Sequence, residues 1–361
     1  WWEDPRKQEA CRHNADSLEL LRRISEFQVK VIDHSSRGLG WKGKKLGVGY
    51  ARKAVIDHIL HSSERDDLIL SMDADTTFSD NYLRSVAETF RREKNIVALA
   101  VPYYHKLTGD PAADRAILRY EIYMRHYLLN LGLIGSPYAF TALGSAMAAR
   151  VSAVRAIGGM TPKLSGEDFY FLQKLRKFGS VGLWNEEPVH PATRFSDRVF
   201  FGTGPAMIKG AEGDWLSYPI YPQHLFKNLE VTYKAIPQYF QATGYNDVVR
   251  FMSEIFREED PFQPLRSNHV DLEHFTRAFH EKLDGLRILQ YLKTHHDPKR
   301  NSDENNFREF LESNFPFIKN TLTPVFDHDF SFDTASTAIL SDIRDFLFDR
   351  EMEFRSTSAL R

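Results

Sequence analysis

The chain has 361 residues, of which 42% are hydrophobic and 27% charged, enough for a real core and incompatible with wholesale disorder. Its 47 Lys+Arg stand against 49 Asp+Glu, a net charge of −2 that removes any bulk electrostatic case for nucleic acid. The single cysteine, Cys11, excludes an internal disulfide framework and a cysteine-rich zinc site, and points to a cytosolic setting.

No charged-then-apolar leader opens the chain, and Trp1 stands where a start methionine would be, so an upstream segment is expected to be missing. Residues 6–27 read as a helix with Leu18, Leu21, Ile24 and Phe27 at helical spacing. The apolar run 29–33 reads as a strand, and the segment 35–53 is rich in glycine and basic residues. A helix over 48–62, a strand over 68–72 and a helix capped by Ser79 and running to Phe90 follow, then a strand over 96–102. Residues 127–149 carry no charge, but Asn130, Gly132, Gly135, Pro137 and Gly144 interrupt them; a buried strand with loops is expected there, not a spanning helix. A further helix opens at 165–168, and 181–184 is strand-like. This alternation predicts an α/β domain with a largely parallel sheet.

The composition changes near residue 225. Residues 226–361 carry 17 Lys+Arg and 23 Asp+Glu, a net of −6, so residues 1–225 hold +4. The expected division is an α/β domain over 1–225 and a helical C-terminal region over 226–361. In the latter Asp271 caps a stripe of Leu272, Phe275, Phe279, Leu283, Leu286 and Leu289, a polar break covers 297–306, and helices follow near 307–320 and 336–353. The positive charge therefore sits in the α/β half, where an anionic ligand would fit.

Four groups of residues could carry chemistry. Asp73-Ala74-Asp75 ends an apolar strand, the place where open α/β sheets bind ligands, and two carboxylates one residue apart can share a hard divalent cation with a phosphate. The basic segment holds Arg37, Lys42, Lys44, Lys45, Arg52 and Lys53 without one acid, among glycines that permit close backbone approach to an anion. Glu167 and Asp168 at a helix start are either dipole-complementing caps or a base beside a positioning neighbour. His190, Arg194 and Arg198 lie just beyond the last strand-like run; a lone histidine is more often structural, but His190 follows the run closely enough to reach a metal at the sheet end.

In this order the motifs resemble a family 2 glycosyltransferase of the GT-A fold. The matching pieces are Val31-Ile32-Asp33, Gly49-Tyr50-Ala51-Arg52-Lys53, Asp73-Ala74-Asp75, Gly144 to Arg150, Ile157-Gly158-Gly159-Met160 and Gly166-Glu167-Asp168. The resemblance spans roughly residues 20–205 and implies a nucleotide-sugar-dependent, inverting enzyme using Mg²⁺ or Mn²⁺. Asp33 would lie near the base or ribose, and Lys45, Arg52, Arg194 and Arg198 near the nucleotide and its phosphates. Asp73 and Asp75 would serve the ribose and the metal, His190 would be an extra metal ligand, and Gly144 and Ser145 would line the sugar site. Asp168 would be the general base with Glu167 positioning the acceptor, a glycan, lipid or small-molecule hydroxyl; a uridine diphosphate sugar is the expected donor. Family members open with a strand that has no counterpart here, so the sheet is expected to lack its first strand. The enzyme is expected to be cytoplasmic, with no transmembrane segment, and its acidic tail offers no attraction to anionic lipid.

Two competing readings stand beside this one. A haloacid-dehalogenase-like phosphatase would use Asp73 as nucleophile and Asp75 as acid/base, but lacks its later paired-acid motif. A glycosyltransferase-like module could instead bind a sugar nucleotide without turnover.

Overall fold

The structure is a computed structural model that describes residues 2–41, 47–196 and 202–358. The chain opens with α1 (Gln8–Arg23), which buries Cys11 and leaves Leu20 and Leu21 exposed, so the predicted apolar stripe has no core beneath it. The strand expected over 29–33 does not form. A strand is defined by its ladder, and among the described residues no backbone hydrogen bond joins 29–33 to another segment.

From residue 48 onward the sequence reading and the structure run together. Helix α2 (Val48–Ser62) leads to strand β1 (Leu68–Ser71), helix α3 (Tyr82–Arg92) and strand β2 (Ile96–Ala100). Ser79 is not the cap of α3: its hydroxyl donates to Glu187 at 2.7 Å, and Asn81 occupies the cap position. The uncharged stretch 127–149 is the end of a 23-residue helix, α4 (Pro111–Leu133), then a loop and strand β3 (Met147–Arg150). Among the described residues no helix is long and apolar enough to cross a membrane. Short α5 (Val151–Ala156), α6 (Glu167–Phe178) and strand β4 (Ser180–Gly182) complete this part.

The strands lie in the order β1-β3-β2-β4. β1, β2 and β4 run in one direction, as expected for a mostly parallel sheet, and β3 runs antiparallel between β1 and β2. Alternate residues of β2 face opposite layers. Ala98 and Ala100 join the large core that contains α4, whereas Leu99 joins Tyr82, Val86 and Phe90 of α3.

The remainder is helical: α7 (Thr203–Ala211), α8 (Gln223–Lys234), α9 (Ile236–Gln241), α10 (Asp247–Phe256), α11 (Gln263–Asn268), α12 (Leu272–Lys282), α13 (Gly285–His295), α14 (Asp303–Asn314) and α15 (Thr337–Ser358). Asp271 caps α12 as predicted, accepting from the His274 amide at 2.8 Å, but Asp284 starts a new helix, so Leu286 and Leu289 belong to α13. One continuous hydrophobic cluster runs from Ile69 of the sheet through α4 to Leu347 of α15.

Helix α15 lies along α4 and brings buried charge to the ends of the strands. Arg355 donates to the carbonyls of Ala100 (2.7 Å) and Leu183 (2.8 Å), just where β2 and β4 stop. Glu351 links Arg355 to Arg125, which in turn donates to Glu121 (3.0 Å) and to the Tyr103 carbonyl (2.8 Å). Arg344 completes the set by donating to the His105 carbonyl at 3.1 Å. Every one of these charges has an opposite partner, the condition under which buried ions are tolerated. The loop after β2 is thereby fixed at the edge of the sheet.

Candidate active site

The carboxyl ends of the strands open onto a cavity of about 1330 Å³. That exceeds the size usual for one drug-sized ligand, roughly 300–1,000 Å³, and leaves room for two substrates side by side.

Arg52 of α2 organises one wall. Its Nη1 donates to the Ser71 hydroxyl (2.6 Å) and the Gly144 carbonyl (3.0 Å), its Nε donates to Glu167 (3.1 Å), and its Nη2 pairs with Asp73. Ser145 donates to the other oxygen of Asp73 at 2.9 Å. A Cβ at Gly144 would stand 2.2 Å from the Arg52 guanidinium, so a larger residue there would displace Arg52 from these contacts. Arg52 is thus committed to protein groups, orienting Asp73 and Glu167, and its neighbours are the residues that the sequence pattern groups together.

Helix α6 starts at this wall. Gly166 caps it with φ +70°, a conformation that favours glycine, and so turns the next two carboxylates into the cavity wall. Glu167 is buried against Arg52, while Asp168 accepts from the Phe169 amide at 2.7 Å. Burial pushes the Asp168 carboxyl up to about 6 and the Glu167 carboxylate adds to this, outweighing the Phe169 amide and Arg52, which favour the ionised form. A carboxyl poised near neutrality at a cavity wall is suited to accept a proton. On the facing side Arg194 donates to Asp75 from Nε at 2.7 Å and again from Nη2.

Residues 68–204 match the family described as Glycosyl transferase family group 2. This segment is a family 2 glycosyltransferase domain. No curated protein gives a significant match to the chain. The match runs from β1 to the start of α7 and takes in Asp73, Asp75, Ser145, Glu167, Asp168 and Arg194. It decides against the phosphatase alternative, for which Asp73 is in any case badly placed, with both oxygens already engaged.

The fit of a divalent ion to the transferase is governed by its carboxylates. Asp73 is held by Arg52 and Ser145; Asp75 takes both Arg194 bonds on Oδ2, leaving Oδ1 without a protein partner among the described residues. Among the described residues no three His, Cys, Asp or Glu side chains gather into a metal cage. This donor set fits Mg²⁺ or Mn²⁺ held by one or two carboxylates together with a diphosphate, and does not fit an all-protein site.

Other expected residues stand apart. His190 is not on the cavity wall: its Nδ1 donates to the Tyr104 carbonyl at 2.8 Å, and its backbone pairs with Thr77. Asp33 also lies off the wall, its carboxylate accepting from the Ser35 and Ser36 amides at 2.8 and 3.0 Å, which holds it well below the usual carboxylate range. Lys45 and Arg198 lie outside the described residues.

The cavity also has a wall that motif reading misses. Tyr120 and Tyr123 of α4, Tyr218, and Leu286, Leu289 and Lys293 of α13 line it. Helix α13 is docked onto α6 through Gln173, which accepts from the Leu286 amide at 2.9 Å and donates to Asp284 at 3.2 Å. The C-terminal helices therefore supply part of the site. Leu286 and Leu289 have ordinary helical spacing, which in a sequence reads as core.

Proposed function

We propose that the transferase moves a sugar from a nucleoside diphosphate to a hydroxyl acceptor with inversion, Asp168 serving as general base. The observation that carries the reading is the convergence of Asp73, Asp75 and Asp168 on one large cavity at the strand ends, with Asp168 tuned to near neutrality. The acceptor hydroxyl gives its proton to Asp168 as its oxygen bonds to the anomeric carbon. The bond from that carbon to the diphosphate oxygen breaks, and the nucleoside diphosphate leaves with the electron pair. Glu167, fixed by Arg52, holds the neighbouring negative charge that keeps Asp168 basic. A Mg²⁺ or Mn²⁺ ion on Asp75, with Asp73 beside it, would offset charge on the leaving diphosphate. Arg194 is placed to exchange its contact with Asp75 for one with a phosphate oxygen.

The test is nucleoside diphosphate release from a panel of uridine, guanosine and thymidine diphosphate sugars with Mn²⁺. Release from one donor, abolished in Asp75→Asn, is expected. Donor binding without release from any of them would leave a binding module.

A further inference from the structure

The loop after β2 places His105 in the cavity wall, although only 1% of this residue is exposed. Its Nδ1 donates to Glu121 Oε1 at 2.6 Å, and its backbone amide donates to the same oxygen at 2.8 Å. Glu121 is itself held by Arg125, with Arg344 3.8 Å away, so this carboxylate is ionised and Nδ1 must carry the hydrogen. Nε2 is the ring's remaining hydrogen-bonding atom. It is buried, and among the described residues it has no partner. A buried polar atom left unpaired costs stability, so its persistence beside an open cavity calls for a ligand group to complete it.

The surroundings indicate what that group is. The Tyr103 ring meets His105 edge-on at 5.8 Å, and Tyr120 and Asp168 line the same cavity as His105. The geometry points to His105 as a binding residue for the acceptor, its Nε2 hydrogen-bonding to a second hydroxyl of a sugar whose first hydroxyl reacts at Asp168. Two separated polar anchors, with Leu286 and Leu289 lining the same cavity for the C–H face of a ring, suit a carbohydrate; a long-chain alcohol with one hydroxyl would leave His105 unpaired. This inference rests on the transferase reading given above.

The experiment uses the whole chain with its active donor and, as acceptor probes, the methyl glycosides of glucose, galactose and mannose. At least one glycoside should accelerate nucleoside diphosphate release. His105→Ala should raise the KM for that glycoside about tenfold, the value of one hydrogen bond, with the donor KM moving less than about twofold. His105→Gln, which returns a side-chain amide able to donate or accept, should recover much of the loss. The inference is overturned if no glycoside accelerates release, if the glycoside KM is unchanged in His105→Ala, or if both KM values rise together in both variants. Absence of release from every donor by the unmodified chain defeats the transferase reading itself, so the two failures are distinguishable.

Discussion

Asp168 sits at the N-terminus of α6, where the helix dipole ordinarily stabilises a carboxylate, and yet its pKa is pushed up to about 6. Burial together with Glu167 wins. Two outcomes follow from the sign of that shift. As a base Asp168 works when ionised, so kcat/KM should rise with pH through about 6, and Asp168→Asn should remove that limb of the profile. For stability, an acid whose pKa is higher folded than unfolded weakens the fold as pH climbs from 3.8 to about 6, and the cost stays above that. Asp168→Asn should therefore stabilise the protein by ~1–2 kcal/mol at pH 8 and not at pH 3, read from urea midpoints at the two pH values. Arg52→Ala acts in the opposite direction: it leaves Glu167 buried without its cation, and should cost ~3–5 kcal/mol by the same measurement. Arg52 is legible in the sequence as a cation near acids, whereas its position beneath Gly144 depends on three chain segments meeting and cannot be read from any one of them.

Among the elements, those from α2 to β4 are legible because each satisfies its own hydrogen bonds or finds a ladder partner nearby in the same half of the chain. The run 29–33 has the composition of a strand but no neighbour to pair with among the described residues, and composition cannot report a missing partner. The segment 127–149 misleads for a related reason: its first third is helix, and what keeps it buried is α15, which lies more than 200 residues further on. For α15 the sequence predicts only a helix near 336–353. Its Glu351 and Arg355 are fully buried, and tie the ends of β2 and β4 to α4. Glu351→Ala should destabilise by ~3–5 kcal/mol, since Arg125 and Arg355 lose their shared carboxylate; a urea midpoint within error of the unmodified protein would contradict the assignment.

Across the whole molecule, the sequence divides its charge into +4 over residues 1–225 and −6 beyond, a division that would favour the anionic donor proposed above in the half that holds the sheet. The cavity does not follow that line, because Leu286, Leu289 and Lys293 of α13 also line it. Motifs locate the carboxylate wall, proposed above to take the donor, where residue types are chemically distinctive; the opposite wall, proposed to take the acceptor, includes aromatic and aliphatic side chains that look like core until the fold brings them to an opening. The most direct measurement of the central claim compares unmodified protein with Asp168→Asn at pH 8, recording nucleoside diphosphate release from the active donor alongside calorimetric donor affinity. Release should fall by about 10²-fold or more while affinity stays within about threefold. Undiminished release in Asp168→Asn, or affinity lost in step with release, would contradict a base acting on the acceptor at this site.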